Sequence, residues 1–146
     1  MYLNNRFSTN HSFLQGLRVL LVDNDVNFCN SFTSMLQSYG MKVQAAFLGE
    51  QALKIFVQWQ PDILLSDISS PKEDGYALIH KVRTLQGERG KVVPAIALTS
   101  VVTEDIYEHA LLVGFNLCFA KPVVIDDFVA VLGILAITNN LHSHSC

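Results

Sequence analysis

Pro61-Asp62-Ile63-Leu64-Leu65-Ser66-Asp67-Ile68-Ser69-Ser70-Pro71-Lys72-Glu73-Asp74-Gly75 is the stretch on which the fold turns. Residues 62–65 lead in with a continuous apolar run, Ile63-Leu64-Leu65, as a parallel strand buried on both faces does. The strand ends at Asp67 and passes into a turn rich in Ser, Pro and Gly. Such a strand delivers Asp67 to the C-terminal edge of a sheet, where open α/β folds place their ligands. A carboxylate there can be a metal ligand or a nucleophile, and the other strand ends decide which.

Outward from this strand the same unit repeats. Residues 18–22 (R-V-L-L-V), 41–46, 92–99 and 116–120 read as further strands. Pro94 lies near the start of its strand, where a missing N–H is tolerated. Helical spacing covers 26–39, with Phe28, Phe32, Met35, Leu36 and Tyr39 on one face and Gly40 closing it. A second helix, 50–59, is stopped by Pro61. A third, 75–85, turns Leu78, Ile79, Val82 and Leu85 inward, and Gly87 and Gly90 bracket the loop after it. Thr103 caps a fourth helix, 103–113. A fifth, 125–136, carries Asp126 and Asp127 in its first turn, where the helix dipole favours them. Five alternating strand–helix pairs imply an α/β, doubly wound parallel sheet with right-handed crossovers. Residues 1–16 read as a flexible lead-in with one docking residue, 17–137 as the domain and 138–146 as a polar tail.

The 146 residues suit one domain, half of them apolar, with a net charge of −3. No basic stripe points to nucleic acid. The longest apolar stretch, 128–137, is too short for a membrane span, and no leader pattern opens the chain. Cys29, Cys118 and Cys146 lack metal-ligand spacing, so reduced thiols in a cytoplasmic protein are expected. His142, His144 and Cys146 sit in the tail with nothing to fix their geometry. His80 and His109 fall on helices as surface residues.

The strand ends share one chemistry. The first closes with Asp23-Asn24-Asp25, the third with Asp67 and then Ser69, the fourth with Thr99-Ser100 and the fifth with Lys121-Pro122. Clustered oxygens suit a hard cation such as Mg²⁺. A carboxylate can attack phosphorus to give an aspartyl phosphate, whose oxygens a cation and a lysine would neutralise.

L-R-V-L-L-V-D-N-D at 17–25, L-L-S-D-I-S-S-P-K-E-D-G at 64–75, A-L-T-S at 97–100 and F-A-K-P at 119–122 occur in this order, and with them the chain resembles the response-regulator receiver domains of two-component signalling. The resemblance covers 17–137 and implies a flavodoxin-like (βα)5 sheet in the order 2-1-3-4-5. It implies that Asp67 is the phosphoacceptor and that Mg²⁺ is held by Asp23, Asn24, Asp67 and the Ser69 carbonyl. Thr99 matches the switch hydroxyl, Ser100 the small residue after it and Lys121 the phosphate-contacting lysine, and the Lys121–Pro122 peptide is expected to be cis. The implied protein is a stand-alone bacterial, cytoplasmic regulator rather than an enzyme. Its implied partners are a histidine kinase or His-phosphotransfer protein and a downstream protein target.

Two positions depart from the family pattern. Asn24 stands where a second acid is usual, which should weaken Mg²⁺ binding by about 1–2 kcal/mol. Asp25 either compensates or caps the helix. Cys118 replaces the swinging aromatic three residues before Lys121, and Phe119 points to the other face of its strand. These departures support a rival reading, an interaction module that is never phosphorylated. A Mg²⁺-dependent phosphatase would want a second acid where Ser69 stands, and flavin binding a hydroxyl-rich loop after strand one. The fifth helix is apolar around most of its circumference. Its surplus at Val129, Gly133 and Ile137 suggests a second covered face, and with it a self-dimer or partner interface through the fourth and fifth helices.

Overall fold

The computed structural model describes residues 12–69 and 75–139. The expected lead-in before Ser12 and the expected tail from residue 140 onward, with His142, His144 and Cys146, lie outside the described residues.

Five parallel strands form one sheet in the order β2-β1-β3-β4-β5. They are β1 (Arg18–Val22), β2 (Lys42–Ala46), β3 (Ile63–Asp67), β4 (Ala95–Thr99) and β5 (Leu117–Ala120). The long helices are α1 (Val26–Ser38), α2 (Gly49–Trp59), α3 (Gly75–Arg83), α4 (Glu104–Val113) and α5 (Ile125–Asn139). The expected fold class and strand order are borne out.

Period-two alternation divides the core between the two faces. Val19, Leu21, Ile63, Leu65, Ile96 and Leu98 pack with Phe32 and Leu36 of α1 and Phe128 and Leu132 of α5. Leu20, Leu64, Ala95 and Ala97 pack on the other side with Phe56, Leu78, Ile79, Val82 and Ala110. All five residues of β3 and of β4 are buried, which accounts for their unbroken apolar runs.

Several boundaries move, each for a local reason. The stretch read as a loop and as the start of the fourth strand holds a one-turn helix, Arg89–Val92, and β4 begins only at Ala95. That turn lies backbone to backbone on α3: a Cβ on Gly90 would come 2.2 Å from the Val82 carbonyl. The third helix ends at Arg83 rather than residue 85, and the Thr84 hydroxyl donates to the carbonyls of His80 and Lys81. Asn116 precedes β5 instead of starting it: its N–H donates to the Ala95 carbonyl at 2.7 Å and its side-chain oxygen accepts from Ala95 N–H at 2.8 Å. His109 is exposed, as expected, and stands edge-on to Tyr76 with ring centroids 4.5 Å apart.

Arg83 fastens this end of the molecule. Its guanidinium donates to the carbonyls of Gly90 (3.1 Å), Val93 (2.7 Å) and Gly114 (3.1 and 2.8 Å) and to the Asn116 side-chain oxygen (3.3 Å). Burial lowers its pKa.

The final residues of the lead-in are structured. Ser12–Leu14 make a 3₁₀ turn, and Leu14 is fully buried in the cluster that contains Val129. The Phe13 ring lies 3.6 Å from where a Gly133 Cβ would stand. The Val129–Gly133 side of α5 is therefore covered by the chain itself. Among the described residues, Ile134 (60 % exposed) and Ile137 (80 %) are the large apolar side chains of α5 that face outward.

Candidate functional site at the C-terminal edge of the sheet

The strand ends converge as their registers require. β1 carries Asp23 one residue past its end, β3 ends in Asp67, β4 in Thr99, and Lys121 follows β5. Lys121 N–H donates to the Thr99 carbonyl at 2.8 Å, continuing the ladder. The Lys121–Pro122 peptide is cis.

Asp23 is buried and doubly held. One carboxylate oxygen accepts from Asp25 N–H at 2.9 Å, the other from Lys121 Nζ at 2.5 Å. Asp67 is also buried. Its Oδ1 accepts from the Ser69 hydroxyl at 2.6 Å and from Ser69 N–H at 3.3 Å, with Lys121 Nζ at 3.4 Å. One ammonium thus faces both carboxylates. Burial pushes the Asp23 carboxyl above its ordinary value and the Asp67 charge adds to this, against the hydrogen bonds from Lys121 and Asp25. For Lys121, burial favours the neutral amine, but the two carboxylates outweigh it and raise the pKa.

The remaining positions take different roles. Asp25 Oδ1 accepts from Phe28 N–H at 3.1 Å, so Asp25 caps α1. Asn24 and Ser100 are exposed. The buried Thr99 hydroxyl donates to the Val101 carbonyl at 3.1 Å and so turns into its own loop. Cys118, paired in register with Ala97, packs on the α2–α4 side, and burial raises its thiol pKa. Phe119 packs on the opposite face, 5.8 Å from Phe128 between ring centroids.

Two contributors were not read from the sequence. Phe28 counted only as a core residue, yet Lys121 Nζ lies 4.5 Å from its ring centroid, a cation–π distance. Gly75 lies so close beneath Asp67 that a Cβ would come 2.6 Å from the Asp67 carbonyl. Neither contact has a periodic signature, because each depends on how separate elements meet.

All the groups here that could hold a cation offer oxygen: the carboxylates of Asp23 and Asp67, the Asn24 amide and the Ser69 carbonyl. That donor set fits a hard divalent ion. Among the described residues no group of three or more His, Cys, Asp or Glu side chains could hold a metal ion.

The sequence profile of the response regulator receiver domain matches residues 19–133. The chain belongs to that family. It is 36 % identical over 110 residues to an uncharacterized 14.6 kDa protein of Leptolyngbya boryana, covering 75 % of this chain and 82 % of that one. It is 30 % identical to a "Probable chemotaxis protein CheY" of Rhizobium etli, covering 83 % and 93 % of the two chains. Against hybrid signal transduction histidine kinase D of Dictyostelium discoideum it is 35 % identical, and it spans only 8 % of that much longer protein. A crystal structure from Chloroflexus aurantiacus classed with the response regulators superposes with a TM-score of 0.74 at 31 % identity, over 84 % of this chain and 99 % of that one. No helix among the described residues is long and apolar enough to cross a membrane.

Proposed function

We propose that this receiver domain accepts a phosphoryl group on Asp67 from the phosphohistidine of a histidine kinase or His-phosphotransfer protein. The observation that carries the reading is Lys121 Nζ set against both Asp23 (2.5 Å) and Asp67 (3.4 Å). A cation fixed beside a strand-end carboxylate is placed to neutralise oxygens brought to it. An Asp67 oxygen forms the new O–P bond as the N–P bond to the donor breaks, and the electron pair leaves on the imidazole nitrogen. Asp23, Asp67, Asn24 and the Ser69 carbonyl would hold Mg²⁺, which supplies charge neutralisation for the transferring phosphoryl group.

Lys121 faces the phosphoryl oxygens in the product. The Thr99 hydroxyl gives up its bond to the Val101 carbonyl in order to donate to them, and the loop after β4 moves with it. Ser100, small and exposed, leaves that approach open. The only turnover is slow hydrolysis of the domain's own phosphate. The signal leaves as an altered surface for a downstream protein target or a second copy, in the cytoplasm. Exposed Asn24 favours a second reading, an interaction module that is never phosphorylated.

The deciding measurement is the intact mass after incubation with Mg²⁺ and a small phosphodonor such as acetyl phosphate or phosphoramidate. Wild type should gain one phosphoryl group and Asp67→Asn none. No gain with these donors or with a kinase selects the second reading.

A further inference from the structure

A groove of about 570 Å³ runs between α2 and α3, on the flank of the sheet and outside the carboxylate site. Leu53 and Val57 of α2 and Leu85 beyond α3 give it an apolar lining, and Val57 is 55 % exposed. Its α2 wall runs from Glu50 to Gln58, about 12 Å or two helical turns. Lys54 and Lys81 stand on opposite sides, both exposed, and among the described residues neither has an ion-pair partner. Glu50 is the one acid in the lining.

We infer that this groove docks an acidic amphipathic helix of a partner protein. The apolar floor from Leu53 to Val57, about 6 Å or one turn long with Leu85 across from it, matches a pair of anchors at i and i+3 or i+4 of a facing helix. The charge decides the partner's chemistry: two lysines without an ion-pair partner among the described residues flank the floor in a chain whose net charge is −3. The site thus runs against the protein's own charge, and acidic residues beside the anchors would meet Lys54 and Lys81. Nothing in this inference depends on phosphorylation of Asp67.

A display library of helical peptides with a varied apolar stripe, half flanked by Glu and half by Lys, can be selected on the whole chain. Glu-flanked peptides should be enriched. Their amide shift changes should map to residues 50–58 and 81–85, and binding should weaken with salt. Lys54→Glu with Lys81→Glu should weaken binding roughly tenfold, and Val57→Asp should abolish it. All three positions are exposed, so circular dichroism should show unchanged folding. The inference is overturned if nothing is enriched, if Lys-flanked peptides win, or if the selected peptides bind these variants as well as wild type.

Discussion

Lys121 Nζ and Asp23 Oδ2 lie 2.5 Å apart although 98 residues separate them in the chain. The pair joins the two ends of the fold's connectivity, and Asp67 makes it a triangle. Replacing Lys121 by Met leaves two buried carboxylates facing each other, at a cost of about 1–3 kcal/mol near neutral pH. The sign with pH follows from the shifts. Asp23 is raised above its ordinary 3.8 in the fold, so its contribution is present below that value and lost as pH rises. Losing Lys121 raises it further, and the variant should fall away from wild type as pH climbs past 3.8. Lys121 is itself raised above 10.5, so wild type loses the pair's contribution as pH rises beyond that and the two proteins converge. Urea melts of both proteins across pH check this; a gap that does not vary with pH would contradict it.

Asn24→Asp should tighten Mg²⁺ binding by about 1–2 kcal/mol, because a neutral amide becomes a charged ligand. Calorimetric titration of the unphosphorylated protein is the measurement. Unchanged affinity would place residue 24 outside the cation's ligands.

Gly75→Ala should destabilise the domain by about 1–3 kcal/mol. The new Cβ would come 2.6 Å from the Asp67 carbonyl and 2.8 Å from the Ile68 side chain, and β3 is too well buried to give way. Denaturation midpoints at constant slope test it, and a neutral result would mean that the loop after β3 yields freely.

Leu14→Ala should cost about 2–5 kcal/mol, as a fully buried core leucine does, although the residue precedes the first strand. A loss below about 0.5 kcal/mol, the size of an ordinary surface change, would show that the 3₁₀ turn only rests on α5.

Much of this was legible in the residues. Unbroken apolar runs gave away the buried strands β3 and β4, and Asp23, Asp67, Thr99 and Lys121 stand at strand ends because the periodicities put them there. What escaped depends on contacts between elements. The turn at Arg89–Val92 exists because Gly90 fits against Val82, which no local propensity announces. Three residues, Ser12–Leu14, are too few to show a period. The position of Thr99 was readable, but the direction of its hydroxyl toward Val101 was not. That Asp25 caps α1 is shown only by the bond it accepts from Phe28 N–H. The surplus apolar face of α5 was real, but two of its three residues, Val129 and Gly133, are covered by Leu14 and Phe13 of the same chain.

Arg83 carries one more consequence. From the end of α3 its guanidinium holds Gly90 and Val93 of the turn before β4 and Gly114 of the turn before β5. No one of these can open without breaking charge-assisted bonds that the others share. The end of α3, the turn before β4 and the turn before β5 should therefore exchange their amide protons as one cooperative unit in a hydrogen-exchange experiment. The loops at the opposite edge, around Asp67 and Thr99, lie outside that unit and can rearrange without unfolding it.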